Sequence, residues 1–197
     1  MKSLTTIAAA LPLLIALALA SPSAAAPPAT PSFHDSVVGS GSSTTATAFA
    51  VNITSGPSGE SPTGRATLDT FGVHFVASSI TCLAVTGNTA TYAGALEPNL
   101  FGLAYFKVTD VDNGPAGSNL DTGAAEGSNT PEDCTTPTFG SLGHLTSGDL
   151  VVTDAPPPPG STRQCLSGGY RAYGFATTGR CVAYVNAGPL AAGHRRG

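Results

Sequence analysis

Four cysteines are the residues of this chain whose type and spacing point most directly to chemistry: Cys82, Cys134, Cys165 and Cys181. No C-x-x-C pair occurs and the spacings fit no zinc pattern, so we predict two disulfides rather than a metal site. Four cysteines allow three pairings, and the sequence alone does not choose among them. In the chain-entropy model, pairing the last two would close a loop of about 16 residues and contribute about 3 kcal/mol. Pairing the first two would close about 52 residues and contribute about 4 kcal/mol.

A group of oxygen-bearing side chains follows a strand-like segment in the stretch TDVDNGPAGSNLD. Asp110, Asp112, Asn113 and Asp121 carry the hard ligands that Ca²⁺ takes, which makes a weak calcium site one hypothesis. Gly114 falls where an EF-hand loop would place its third ligand, so this is not an EF-hand. Asp and Asn also stabilise turns by accepting backbone hydrogen bonds, and we prefer that interpretation. No other cofactor is indicated.

Residues for hydrolytic catalysis do not form a recognisable pattern. No G-x-S-x-G motif occurs, and the histidines, His34, His74, His144 and His194, are scattered along the chain. The chain has no tryptophan that could form a sugar platform beside paired carboxylates. We therefore assign no catalytic residue, and the sequence favours a protein that is not an enzyme without deciding the question.

The first residues have the character of an export signal. Met1 and Lys2 precede an apolar run over residues 7–20, and small residues follow it. We predict a signal peptide over residues 1–20, or alternatively 1–25, an extracellular protein, and no stable membrane insertion after cleavage. The formal net charge is −4 and the internal basic residues are dispersed, so a nucleic-acid partner is not expected.

The remaining chain reads as a series of short strands between turn signals. Residues 21–32 form a lead-in rich in proline and alanine that we expect to be disordered. A β domain is predicted over residues 33–154, and residues 113–143 within it read as one long polar loop. Alternating or β-branched patterns predict strands at 49–54, 65–70, two within 72–85, and further strands at 89–97, 101–112 and 144–154.

This pattern predicts a mainly β fold, an antiparallel sandwich or barrel of about seven to nine strands. A proline-rich spacer at 155–161 leads to a disulfide-stapled minidomain at 162–188, and residues 189–197 read as a flexible tail. Short helical turns starting at Thr162 and Thr178 are compatible with the minidomain. Its aromatic residues fit a small core better than a ligand-binding patch.

Several stretches of the chain resemble a largely uncharacterised family of exported β proteins from actinobacteria. They are TCLAVTGNTATYAG at 81–94, YFKVTDVDNGPAG at 105–117 and SGDLVVTDA at 147–155. The tail QCLSGGYRAYGFATTGRCVAYVNAG is similar to that family's pattern QCxxGG(W/Y)xxFxFxxxGxCVxFV, with Tyr170 in place of the usual Trp and Thr177 and Thr178 in place of Asn-Gln. The resemblance implies secretion and a β fold, and it assigns no catalytic residue.

These observations lead us to expect a secreted, non-enzymatic β protein with a role in binding, surface association or structure. Its partner would be an unknown extracellular or cell-surface ligand, contacted by the long loop at 113–143. The alternative is a secreted hydrolase or an inhibitor of one.

Overall fold

Eight antiparallel strands form most of the protein in the computed structural model, which describes residues 31–100, 102–138 and 143–187. The predicted signal peptide, most of the lead-in and the C-terminal tail lie outside the described residues. The strands are β1 (Asp35–Ser43), β2 (Ala48–Ser55), β3 (Thr63–Thr70), β4 (Val73–Thr86), β5 (Thr89–Leu100), β6 (Leu103–Val111), β7 (Thr122–Ser128) and β8 (Gly143–Thr153).

The strands close into an up-and-down barrel in sequence order. Each strand pairs with the next, and β8 pairs with β1, where Val37 lies opposite both Ile53 of β2 and Val152 of β8. The prediction of a mainly β antiparallel fold is confirmed, and of the two architectures left open the barrel is the one observed. The ladder between β7 and β8 is short, since its described pairs are limited to Thr122 with His144 and Gly123 with Gly143.

The two-residue alternation of the strands separates the inside of the barrel from the outside. On β2, Val51 and Ile53 are buried in the barrel core, whereas the preceding residues Ala50 and Asn52 face solvent. The long hydrophobic strand β6 follows the same rule, with Phe106 and Val108 turned inward. Burial of these inward-facing side chains favours closure of the barrel.

Three strand predictions were wrong. Residues 73–86 form one long strand rather than two, because two register shifts, between Ala77 and Ser79 and between Ile80 and Cys82, bend β4 without ending it. The predicted polar loop contains β7, and β1 was not recognised at all. Both missed strands consist mostly of glycine, alanine and polar residues, so they carry little hydrophobic alternation and are held by their neighbours' hydrogen bonds.

Two tight turns mark the ends of the barrel. Phe71 and Gly72 connect β3 to β4 at what we call the upper end, and both have positive φ, as a two-residue hairpin turn requires. Gly87 and Asn88 connect β4 to β5 at the lower end, where Gly87 again has positive φ. β1 begins at the lower end and β8 ends there.

The C-terminal minidomain contains α1 (Thr162–Cys165), a short 3₁₀ helix at Gly169–Arg171 and α2 (Thr178–Ala187). Phe33, just before β1, joins its core by packing its ring against Phe175 and Tyr184, with centroid distances of 5.9 and 5.3 Å. The minidomain thus lies at the lower end of the barrel. Among the described residues, no helix is both long and apolar enough to span a membrane.

All four cysteines are paired, which confirms the predicted disulfides and selects one of the three pairings. Cys82 bonds to Cys134 and Cys165 bonds to Cys181, with Cα–Cα distances of 6.0 and 5.6 Å. The second bond joins α1 to α2 inside the minidomain. The first ties the segment after β7 to the outer face of β4.

Residues 129–138, which we call the outer strap, run over the outside of the barrel. Besides the Cys134 disulfide, the Thr138 amide donates to Thr109 Oγ1 at 2.9 Å. Glu132 contacts the Lys107 ammonium at 3.4 Å, and Glu126 of β7 accepts from the same group at 2.9 Å. The strap explains how Lys107 can be buried on an outward-facing position of β6. Its hydrogen bond to Glu126 is the main reason why the pKa of Lys107 is raised.

Candidate functional site

The upper half of the barrel encloses a cavity of about 510 Å³. Towards the lower end, large apolar side chains fill the interior of the barrel; Val37, Ile53, Leu83 and Leu150 are all almost completely buried there. The cavity is therefore a tunnel that begins at the upper end and stops on this packed layer.

Small residues at inward-facing positions create the space. Ala66 of β3, Ala77 of β4 and Gly123, Ala125 and Gly127 of β7 all line the cavity, at positions where the other strands carry larger groups. An eight-stranded barrel is just wide enough either to be filled by side chains or to enclose a small cavity, and here the small residues leave a cavity.

The walls are predominantly apolar. The larger side chains that line them include Phe49, Leu68, Phe75, Leu96, Leu103 and Phe106 of β2 to β6 and Leu145 of β8. Tyr92 and Phe106 meet edge to face, with ring centroids 6.2 Å apart. An apolar molecule in the tunnel would thus contact aromatic and aliphatic carbon on all sides.

At the floor of the cavity, the carboxyl group of Asp110 interrupts the apolar lining. Asp110 of β6 is 4% exposed and accepts a hydrogen bond of 2.9 Å from the Tyr92 hydroxyl. Burial raises the pKa of Asp110 to about 7; the Tyr92 hydrogen bond opposes this shift and the nearby Asp121 carboxylate adds to it. Burial also raises the pKa of Tyr92 well above its ordinary value. Asp110 therefore changes charge near neutral pH.

Asp121 is the second buried carboxylate beneath the cavity. It is held in place by backbone donors, since its Oδ1 accepts from the Asn113 amide at 2.9 Å and its Oδ2 from the Leu150 amide at 3.0 Å. Both donors are backbone amides, so neither hydrogen bond supplies a positive charge. Two buried carboxyl groups, Asp110 and Asp121, therefore lie near each other at the floor of the cavity.

The mouth of the cavity carries an unusually exposed aromatic side chain. Phe71, in the β3–β4 turn, is 90% exposed and still belongs to the lining. Ser43, Thr45 and Ala46 of the β1–β2 connection lie on the same rim. Phe71 gives an apolar molecule a first contact surface outside the tunnel.

The four residues of the calcium hypothesis make different hydrogen bonds in the structure. Asp110 points into the barrel, whereas Asp112 Oδ2 accepts from the Val152 amide at 3.2 Å. Asn113 donates to the Leu120 carbonyl, and Asp121 bonds to backbone amides as described. These are the turn and strand-end hydrogen bonds that we preferred to a metal site. Within residues 31–100, 102–138 and 143–187, no group of three His, Cys, Asp or Glu side chains is arranged to hold a metal ion.

The described histidines lie outside the cavity lining. His74 pairs with Asp69 at 2.5 Å on the exposed face of the β3–β4 hairpin. His34 is within hydrogen-bond distance of the Ser55 carbonyl at 3.2 Å, and His144 starts β8. His194 lies outside the described residues.

Sequence reasoning missed the cavity, although one signal for it was available. Phe106, Val108 and Asp110 follow one another at two-residue spacing within the strand predicted at 101–112, which places them on one face. A carboxylate on the buried face of a strand suggests a polar group within a core or pocket. The small residues of β7 could not be assigned to a cavity, because β7 itself was interpreted as loop.

Comparison of the chain with protein-family models, with curated proteins and with solved structures found no match.

Proposed function

We propose that this chain is an extracellular binding protein that holds one small, mostly apolar molecule inside its barrel. The observation that supports the proposal is the cavity of about 510 Å³, lined by apolar side chains and containing a buried carboxyl at its floor. Small-molecule sites in proteins are typically pre-formed, about 300 to 1,000 Å³ in volume, mainly apolar and equipped with few polar groups. The cavity has each of these properties.

The extracellular location rests on two separate observations. Both disulfides are consistent with an oxidising compartment, and the apolar run at residues 7–20 predicts export. Outside the cell, a closed barrel shields an apolar molecule from water at little conformational cost, because the site is already formed before the molecule arrives.

Binding accounts for the cavity better than nucleophilic hydrolysis does. Within the described residues, the lining contains no cysteine or histidine, so the usual pairing of nucleophile and base is not found there. The serine and threonine residues of the lining, such as Ser43 and Thr70, lie near the mouth, away from Asp110. The polar groups at the floor are placed to orient a ligand whose larger part is apolar.

A fluorescent apolar probe tests the proposal. N-phenyl-1-naphthylamine should gain fluorescence on binding to the mature protein, and Ala66→Phe, which fills the tunnel, should weaken its binding at least about tenfold, or about 1.4 kcal/mol. Ala125→Leu fills the cavity from the opposite wall and serves as a second variant if the first is poorly folded.

The matched control is Ala50→Phe, because Ala50 lies on β2, next to β3, and its side chain is exposed on the outside of the barrel. This variant adds the same ring without entering the cavity and should bind the probe like the unaltered protein. Equal affinity for the probe in the filled, folded variants and in the control would refute the proposal, as would no binding at all.

A further inference from the structure

We propose that the molecule bound in the cavity carries one basic amine, and that its ammonium group pairs with Asp110 at the floor. This inference rests on the proposed function, since it names the chemical class of the ligand for that same cavity. The remainder of the molecule would be apolar, in keeping with the tunnel walls.

The first argument is that the floor holds negative groups without a positive one. Asp110 is buried at the cavity floor, and Asp121 beneath it is 2% exposed. Among the described residues, the cavity lining contains no Lys, Arg or His, and its other acidic residue, Glu126, is already paired with Lys107. Buried charges in proteins are normally paired. The ionised carboxylate of Asp110 has no cationic partner in the lining, and a cationic ligand would provide one.

The second argument is that the nearest lysine, Lys107, already forms ion pairs with other carboxylates. Lys107 lies three residues before Asp110 on β6, but it is on the outward-facing side of the strand and its ammonium pairs with Glu126 and Glu132 under the outer strap. The Glu126 carboxylate is engaged in this pair. The lysine therefore balances the acidic residues outside the barrel and leaves the internal carboxyl to the ligand.

The third argument concerns the hydrogen-bonding capacity of the carboxyl. Tyr92 donates to Oδ2 of Asp110, and a carboxylate can accept about four hydrogen bonds. An ammonium group offers three donors and a full charge, so it can use the remaining capacity and stabilise the ionised form. A ligand carboxylate would instead be repelled by Asp110 and Asp121.

Ionisation of Asp110 gives this pairing a characteristic pH dependence. The titratable groups that face Asp110 are Tyr92 from β5 and Asp121 from the β6–β7 connection, whereas Gly123 of β7 and Leu145 of β8 contribute none. An aliphatic amine stays protonated throughout the range from pH 5 to 8, since its pKa is about 10. Its affinity should therefore rise about tenfold for each pH unit from 5 towards 7, as Asp110 ionises, and level off above that.

Three probes that share one chain and differ in the head group test the inference: n-decylamine, n-decanol and n-decanoic acid. Their dissociation constants are measured by calorimetry from pH 5 to 8 on the mature protein. At pH 8 we expect decylamine to bind at least about tenfold more tightly than decanol, and decanoic acid to bind more weakly than both. In Asp110→Asn, the ratio between amine and alcohol should fall to about one and the pH dependence of amine binding should disappear. Glu97→Gln, an equal change of charge at an exposed position, should keep both.

The possible failures can be told apart. If the alcohol or the acid binds as tightly as the amine, or if the amine preference persists in Asp110→Asn, the amine inference is overturned. The proposed function survives that result as long as Ala66→Phe still blocks binding of the alcohol. If none of the three probes binds and the naphthylamine probe does not bind either, both the inference and the proposed function are refuted.

Discussion

Substituting Asp110 by asparagine should make the empty protein more stable at neutral and alkaline pH. The pKa of this carboxyl is about 7 in the folded protein, against an ordinary value of 3.8. Between these values the unfolded chain releases its proton and the folded chain retains it, so unfolding becomes more favourable as pH rises. Below about pH 4 both states are protonated, and above about pH 7 both are ionised.

The size of this effect follows from the same two values. At about 1.4 kcal/mol for each pKa unit, the interval from 3.8 to about 7 corresponds to about 4 kcal/mol of lost stability at pH 8. Asparagine has nearly the same shape, and its side-chain carbonyl can still accept the hydrogen bond from Tyr92. Asp110→Asn should thus remove the pH-dependent loss and preserve the local packing.

Urea denaturation of both proteins at a series of pH values between about 4 and 8.5 measures this directly. The quantity of interest is the difference in free energy of unfolding between Asp110→Asn and the unaltered protein, because the contributions of all other acids cancel in it. That difference should grow in favour of the variant from about pH 4 and reach a plateau above about pH 7. Glu97→Gln provides the control for loss of one carboxylate. A difference that does not change with pH would show that Asp110 ionises normally and would refute the reasoning.

Two further predictions concern the parts outside the cavity. Replacing Cys82 and Cys134 together by serine should lower the free energy of unfolding by about 4 kcal/mol, because their bond closes a loop of 52 residues in the unfolded chain. Equal urea midpoints for the variant and the unaltered protein would contradict this prediction. Phe33→Ala should loosen the minidomain and leave the barrel intact, because Phe33 packs on Phe175 and Tyr184. Amide hydrogen exchange should therefore accelerate in α2 by far more than in β5. Equal acceleration in both elements would count against this prediction.

The sequence was sufficient to predict the class of fold because the strands with large apolar side chains show a clear two-residue alternation. Phe49, Val51 and Ile53 of β2 alternate so regularly that only a strand buries them on one side. β1 and β7 escaped recognition for the opposite reason. Glycine, alanine and serine dominate them, and their place in the barrel depends on pairing with strands distant in sequence, as the ladder between β1 and β8 shows.

The candidate site was harder to predict, because proximity along the chain does not show which acidic side chains face the inside of the barrel. Asp110, Asp112 and Asp121 were treated as one acidic cluster. Barrel geometry divides them: Asp110 belongs to the inner face of β6, whereas Asp112 lies beyond the end of the strand and accepts a hydrogen bond from the β8 backbone. Closure of the barrel determines which acidic side chain faces the cavity. Closure in turn requires β1 and β7, the two strands that were not recognised in the sequence.

The features that make the cavity suitable for a ligand also weaken the empty protein. A tunnel lined by alanine and glycine gives up packing that larger side chains would provide, and a buried carboxyl disfavours the folded state once it ionises. Proteins commonly accept such costs at functional sites and compensate for them elsewhere. In this barrel, the Cys82–Cys134 bond anchors the outer strap across the strands that carry Asp110 and Tyr92, and by restricting the unfolded chain it opposes that cost. A barrel with this disulfide can keep an empty, charged interior available for binding, and a cationic ligand would then restore the stability that Asp110 removes.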